Sequence, residues 1–233
     1  ILGLEVSTSS AKTIIYSSDK GVIDVASIPY PEKVCDVVSQ DIQGMYATLL
    51  ECIKKILENN HLNIDALSLS TTWHSLLLLD ENRNPIGRLK TWADTEAGDT
   101  ATRYRLKKEF SSKFYNKTGC VIHSVYPVWK YIHMKETDRE TIDRAAYISS
   151  QQEYVFEKLT EERAVSRTIA SGTGFFNINK LEWDEEILEF AGIKKEQLSP
   201  LVEPTYSAPL TKEAAEVMGL TAGLPVIIGG ADG

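Results

Sequence analysis

Four short stretches carry residue types from which chemistry could be built. The first, GLEVSTSSAK (Gly3–Lys12), sets Glu5, the hydroxyls of Ser7, Thr8, Ser9 and Ser10, and Lys12 into the bend between two apolar runs. Hydroxyls and backbone N–H groups in such a bend can face a phosphate, with the acid beside a magnesium ion. Ser and Thr also fill ordinary turns, and this stretch lacks the glycines of a phosphate cradle. The second, STTWHS (Ser70–Ser75), delivers Trp73 and His74 directly after an apolar run. Open α/β sheets bind ligands at the carboxyl ends of their strands, although an aromatic and a lone histidine there also serve as packing. The third, KTWADTEA (Lys90–Ala97), places Asp94 near the start of a helical pattern, where the plain alternative is a helix cap worth about 1 kcal/mol. The fourth is Asp232, after VIIGG. Glycines before an acid at a strand end let a ligand approach the backbone and expose the carboxylate; the alternative is an ordinary turn.

The elements that must position these residues follow from periodicity. ILGLEV, KTIIYSS and GVIDVASIPYP read as three strands, with Ser18-Asp19-Lys20-Gly21 as a hairpin between the second and third. Ile42, Met45, Tyr46, Leu49, Leu50, Ile53, Ile56 and Leu57 form the apolar stripe of a helix that Asn59-Asn60 ends. ALSLSTT reads as a buried strand, and SLLLLDENRNPIG as a strand running into a turn. Residues 94–136 are helical with interruptions, one of them at Lys117-Thr118-Gly119. AAYISS predicts a strand, Gln151–Leu159, Trp183–Ala191 and Thr211–Met218 predict helices, and PVIIGGADG closes as a buried strand delivering an Asp-Gly corner. The order of three strands, a helix and a further strand is shared by many mixed α/β domains, among them the ribonuclease-H-like half-domain of the actin and sugar-kinase superfamily, and that half-domain is the expectation: α/β, a mixed sheet flanked by helices.

Bulk composition narrows the function classes. At 233 residues the chain is long enough for an ample core, and with no repeat or clear linker it reads as one unit. Thirty-three acids against 25 bases give a net charge of -8, which argues against a nucleic-acid partner but leaves a local pocket for a small anion open. Cys35, Cys52 and Cys120 are scattered, as reduced thiols of a cytoplasmic protein are. No apolar run approaches a membrane span and no signal peptide is visible, so the expectation is a cytoplasmic protein without a membrane partner. Beginning with Ile and stopping after GGADG, the chain reads as part of a longer protein.

Taken together, TTWHSLLLLDENRNPIGRLKTWADTEA, TGCVIHSVYPVWK, IASGTGFFNINKLEWDEEIL and GLPVIIGGADG resemble the FGGY carbohydrate kinases, and most closely the gluconate kinases among them. The opening GLEVSTSSAK then aligns with that family's phosphate loop. The resemblance implies ATP-dependent phosphorylation of a sugar or sugar acid, gluconate foremost, with ATP and Mg2+. It implies Asp232 as the catalytic base that takes the proton of the sugar hydroxyl. It assigns Trp73, His74, Asp94, His123, Tyr126 and Lys130 to the sugar side, with Lys130 or His123 toward a sugar-acid carboxylate. Ser7, Thr8, Ser9 and Lys12 fall to the nucleotide phosphates, and Glu5 to the metal. Residues 1–233 would be the sugar-binding amino-terminal domain, and a carboxyl-terminal domain outside this chain would supply most of the nucleotide surface. The isolated domain is then expected to be inactive, and the resemblance leaves room for a homodimer.

Three positions depart from the family pattern. Glu5 stands where the loop acid is Asp, Ser7 where the first loop residue is Gly, and Ser166 where relatives often carry Asp. Glu5 and Ser7 motivate an alternative, an inactive relative that binds sugar or regulates. A ribonuclease-H-like nuclease also fits the element order, but it would need a metal-binding acid cluster and a basic face.

Overall fold

A computed structural model of the chain describes residues 1–60 and 62–231, so Asp232, the expected base, lies outside the described residues. Leu2–Val6 (β1), Ser10–Ser17 (β2) and Gly21–Pro29 (β3) form an antiparallel meander. β1 then pairs in parallel with Leu67–Thr71, which pairs in parallel with Pro225–Ala231, and Ser207–Pro209 closes that edge antiparallel. The result is a mixed six-stranded sheet. Along β1, Leu2, Leu4 and Val6 face inward while Glu5 takes the other face, the period-two alternation of a strand.

The predicted amphipathic helix is present as α1, Ile42–Glu58, with Asp41 as its N-cap accepting from the Gln43 amide and Asn59 at its C-cap. Ile42, Met45, Leu49, Cys52, Ile53 and Ile56 bury its stripe against the sheet. A second apolar cluster lies among the helices of residues 98–191, built around Trp129, Phe114, Phe175 and Ile187. The run Leu76–Leu79 is apolar on both faces because it divides the two cores: Leu77 and Leu79 face the sheet cluster, Leu76 and Leu78 the helical one.

Two local readings are corrected. The helix expected from Trp183 begins at Glu185, because Asp184 caps it through the Ile187 amide while Trp183 pairs in a short strand with Phe176. Asp94 does not cap a helix: the next helix starts at Gly98, and the methyl of its N-cap Ala97 makes no capping hydrogen bond. The last strand kinks at Gly229, where φ is +67° and an added Cβ would meet the Leu69 carbonyl oxygen at 1.8 Å. Only glycine passes there, and the register shift it allows lies immediately before Gly230 and Ala231.

Candidate active site

The Leu67–Thr71 strand ends at the middle of the sheet and hands the chain to Thr72, Trp73 and His74. His74 adopts φ +61°, a left-handed conformation uncommon outside glycine that costs on the order of 1 kcal/mol. Side-chain contacts hold it there. Its Nδ1 lies 2.8 Å from the Gly172 carbonyl oxygen, which can only accept, so Nδ1 carries the proton. The ring stacks on Trp73 at 4.8 Å between centroids and meets the edge of Tyr126 at 5.0 Å. Trp73, His74 and Tyr126 thus form one aromatic wall. Gly172 is part of it, since a Cβ there would fall 2.0 Å from Trp73 Nε1.

Asp94 is 4% exposed. Its carboxylate accepts from Lys90 Nζ at 2.9 Å and from the Glu96 amide at 2.9 Å. Burial acts to lower the Lys90 pKa, but its hydrogen bonds to Glu96 and Asp94 outweigh burial and hold the ammonium above its ordinary value. Lys130 is deeper still, 1% exposed, and donates to the carbonyls of Ser124 and Val125 at 2.9 and 2.6 Å. It therefore braces the turn between His123 and Tyr126. Burial pushes its pKa down to about 8, against the opposing charge of Asp94. His123 is exposed, and its Nδ1 accepts the Val125 amide. Tyr126 is held above the ordinary phenol value by burial, then by Cys120.

The Ser7–Ser10 bend leaves the same end of the sheet, because β1 and the Leu67–Thr71 strand run parallel with Val6 beside Thr71. Glu5 and Lys12 are cross-strand partners, joined at 2.9 Å. Ser7 Oγ accepts from the amides of Ser9 and Ser10, at 3.3 and 3.1 Å, so these two amides turn inward onto a side chain. Thr8 Oγ1 accepts from Trp92 Nε1 at 3.1 Å, which ties the bend to the segment carrying Asp94. Among the described residues no group of three or more His, Cys, Asp or Glu could hold a metal ion. Lys90, Trp92 and Gly172 were not singled out from sequence, although Lys90 and Trp92 lie inside KTWADTEA and Gly172 inside IASGTGFFNINKLEWDEEIL.

Residues 1–233 match the FGGY family of carbohydrate kinases, N-terminal domain. The chain belongs to that family. It is 30% identical over 238 residues to the gluconokinase of Bacillus subtilis (strain 168), an alignment that covers 100% of this chain and 46% of the relative. The xylulose kinase of the same organism is 25% identical over 238 residues, covering 100% of this chain and 47% of its own length. The crystal structure of gluconate kinase from Lactobacillus acidophilus superposes with a TM-score of 0.94 at 27% identity, covering 100% of this chain and 48% of that one. The mixed sheet flanked by helices is thus the α/β architecture of the sugar-kinase half, as the element order implies. The chain spans about half the length of the curated relatives it matches. Among the described residues, no helix is long and apolar enough to cross a membrane.

Proposed function

We propose that this chain is the sugar-side half of a cytoplasmic kinase that phosphorylates gluconate or a related sugar acid with ATP. The observation that carries this reading is the aromatic wall of Trp73, His74 and Tyr126 together with the buried Asp94, whose partner Lys90 pairs through its backbone with Leu76, two residues after His74, in a chain related along its whole length to a gluconokinase. Aromatic faces suit the C–H faces of a sugar, and the buried Asp94 carboxylate and half-buried His74 imidazole suit its hydroxyls. Lys130 serves the sugar-acid end by fixing the turn of His123 and Tyr126. Asp232 takes the proton as the sugar oxygen forms its bond to the γ-phosphorus and the bond to the β-bridging oxygen breaks, releasing ADP. A second domain of the same fold brings the nucleotide, so the isolated chain does not turn over; a homodimer is compatible with this arrangement.

A phosphate arriving at the bend meets the Thr8 and Ser9 hydroxyls and the Lys12–Glu5 pair, but the Ser9 and Ser10 amides only after Ser7 Oγ releases them. Glu5 offers one carboxylate, enough for a magnesium ion held mainly by phosphates and water, which would neutralise the phosphate charge during transfer. The closed Ser7 turn favours a second reading, a relative that binds sugar without transferring phosphate. Incubating the full-length protein with ATP, magnesium and gluconate separates the two. Consumption of ATP that stops in Asp232→Asn supports the kinase, and gluconate binding without ATP consumption supports the inactive relative. No binding of gluconate, xylulose or glycerol overturns both.

A further inference from the structure

Between the bend and the aromatic wall lies a buried polar connection with no place in the chemistry above. Gln40 and Gln151, 111 residues apart, are both 0% exposed. Gln40 Nε2 donates to the carbonyls of Ser7 and Thr8, at 3.1 and 2.9 Å. Its Oε1 accepts from Gln151 Nε2 at 2.8 Å. Gln151 Oε1 in turn accepts from both the amide and the hydroxyl of Thr72, at 2.9 and 3.0 Å. The backbone N–H of Gln151 donates to Ser75 Oγ at 3.0 Å. Gln151 therefore grips the chain on both sides of Trp73 and His74, and its side-chain amide passes the contact on to the bend.

We propose that Gln40 and Gln151 are positioning residues that form a bridge through which the Thr72–Ser75 segment sets the conformation of the Ser7–Ser10 bend. The bridge has a fixed direction. Thr72 donates to Gln151, Gln151 to Gln40, and Gln40 to the two carbonyls. Turning either amide over places oxygen against oxygen at one end, and a buried polar group that loses its partner is costly. The two glutamines thus behave as one unit, and a change at Thr72 or Gln151 reaches a bend that neither touches. The meaning of this for catalysis, that sugar on the aromatic wall prepares the phosphate loop, rests on the proposed function.

In its ionised form, Gln151→Glu keeps the acceptor for Thr72 but removes the donor to Gln40, so at a pH where the carboxylate is charged it cuts the bridge at nearly constant volume. The assay is amide hydrogen exchange by NMR on this chain. Exchange at Ser9 and Ser10 is expected to rise about tenfold in Gln151→Glu, while the amides of the Lys212–Met218 helix exchange as in the wild type. Thr72→Val, which removes only one donor, gives a smaller rise at the same two amides and stands in if Gln151→Glu does not fold. Unchanged exchange at Ser9 and Ser10, or a rise that the Lys212–Met218 helix shares equally, overturns the bridge. Added gluconate is expected to slow exchange at Ser9 and Ser10 in the wild type and to bind Gln151→Glu without doing so. Failure of gluconate to bind the wild type refutes the functional reading alone, since the exchange of the unliganded variants still decides the bridge.

Discussion

Gly172→Ala tests the packing of the aromatic wall at its narrowest point. The backbone φ of Gly172 is -94°, which any residue adopts, so space alone decides the outcome. An added Cβ would lie 2.0 Å from Trp73 Nε1, 2.5 Å from Cε2 and 2.6 Å from Cδ1. Ordinary contact begins near 3.4 Å, so the indole must retreat by about 1.4 Å. A rigid ring cannot yield at its far end, and Trp73 is stacked on His74, whose Nδ1 bonds the carbonyl of Gly172 itself. Overpacking of this kind costs about 1–3 kcal/mol, and a displacement of about 1 Å in a site can cost on the order of 100-fold in rate. Gly98→Ala, where nothing lies within 4 Å, is the control. Urea melts should show Gly172→Ala destabilised by about 2 kcal/mol, with gluconate affinity reduced at least tenfold and Gly98→Ala unchanged in both. Stability within about 0.5 kcal/mol of wild type would refute the claim that Trp73 is wedged against Gly172.

Other perturbations address the buried charges and the bend. Burial pushes Glu153 up to about 7, so the native chain holds this proton more tightly than the unfolded one, and stability present at low pH is lost as pH rises from about 4.5 through 7. Glu153→Gln should remove that loss, gaining about 2–3 kcal/mol over wild type between pH 5 and pH 8 in urea melts, whereas parallel curves would contradict it. For Lys130 the sign is opposite. Its pKa of about 8 lies below the unfolded value, so stability should rise between pH 8 and 10.5, and Lys130→Met should flatten that rise in thermal melts. Ser7→Gly frees the Ser9 and Ser10 amides, so a full-length protein carrying it should bind ATP–magnesium about tenfold more tightly by calorimetry; equal or weaker binding would show that the Ser7 turn does not obstruct the phosphates.

What was legible in the sequence was what depends on local pattern. The stripe from Ile42 to Leu57 needs only the helical period, β1 to β3 need only alternation and a hairpin, and the helix expected from Thr211 to Met218 forms from Lys212, with Thr211 as its cap. The candidate site was legible in part, because Trp73, His74 and Asp94 sit where strand ends and motif spacing place them. What joins them was not. The bond between Gln40 and Gln151 and the contact of Gly172 with Trp73 span 111 and 99 positions, and no periodicity records which distant residues meet. Asp94 illustrates the limit in another way. A carboxylate near a helix start reads as a cap by composition, but Lys90 four residues earlier captures it before the helix begins. The two-sided run Leu76–Leu79 likewise reads as a strand running into a turn, without revealing that it divides two cores.

The most direct test of the proposed sugar site is a calorimetric titration of gluconate into this chain and into Asp94→Asn, which keeps the side chain's size and removes its charge. The account predicts saturable binding to the wild type and at least a tenfold weaker affinity in Asp94→Asn, with the fold intact by circular dichroism. Equal affinity in the two proteins, or no gluconate binding to the wild type, would contradict it.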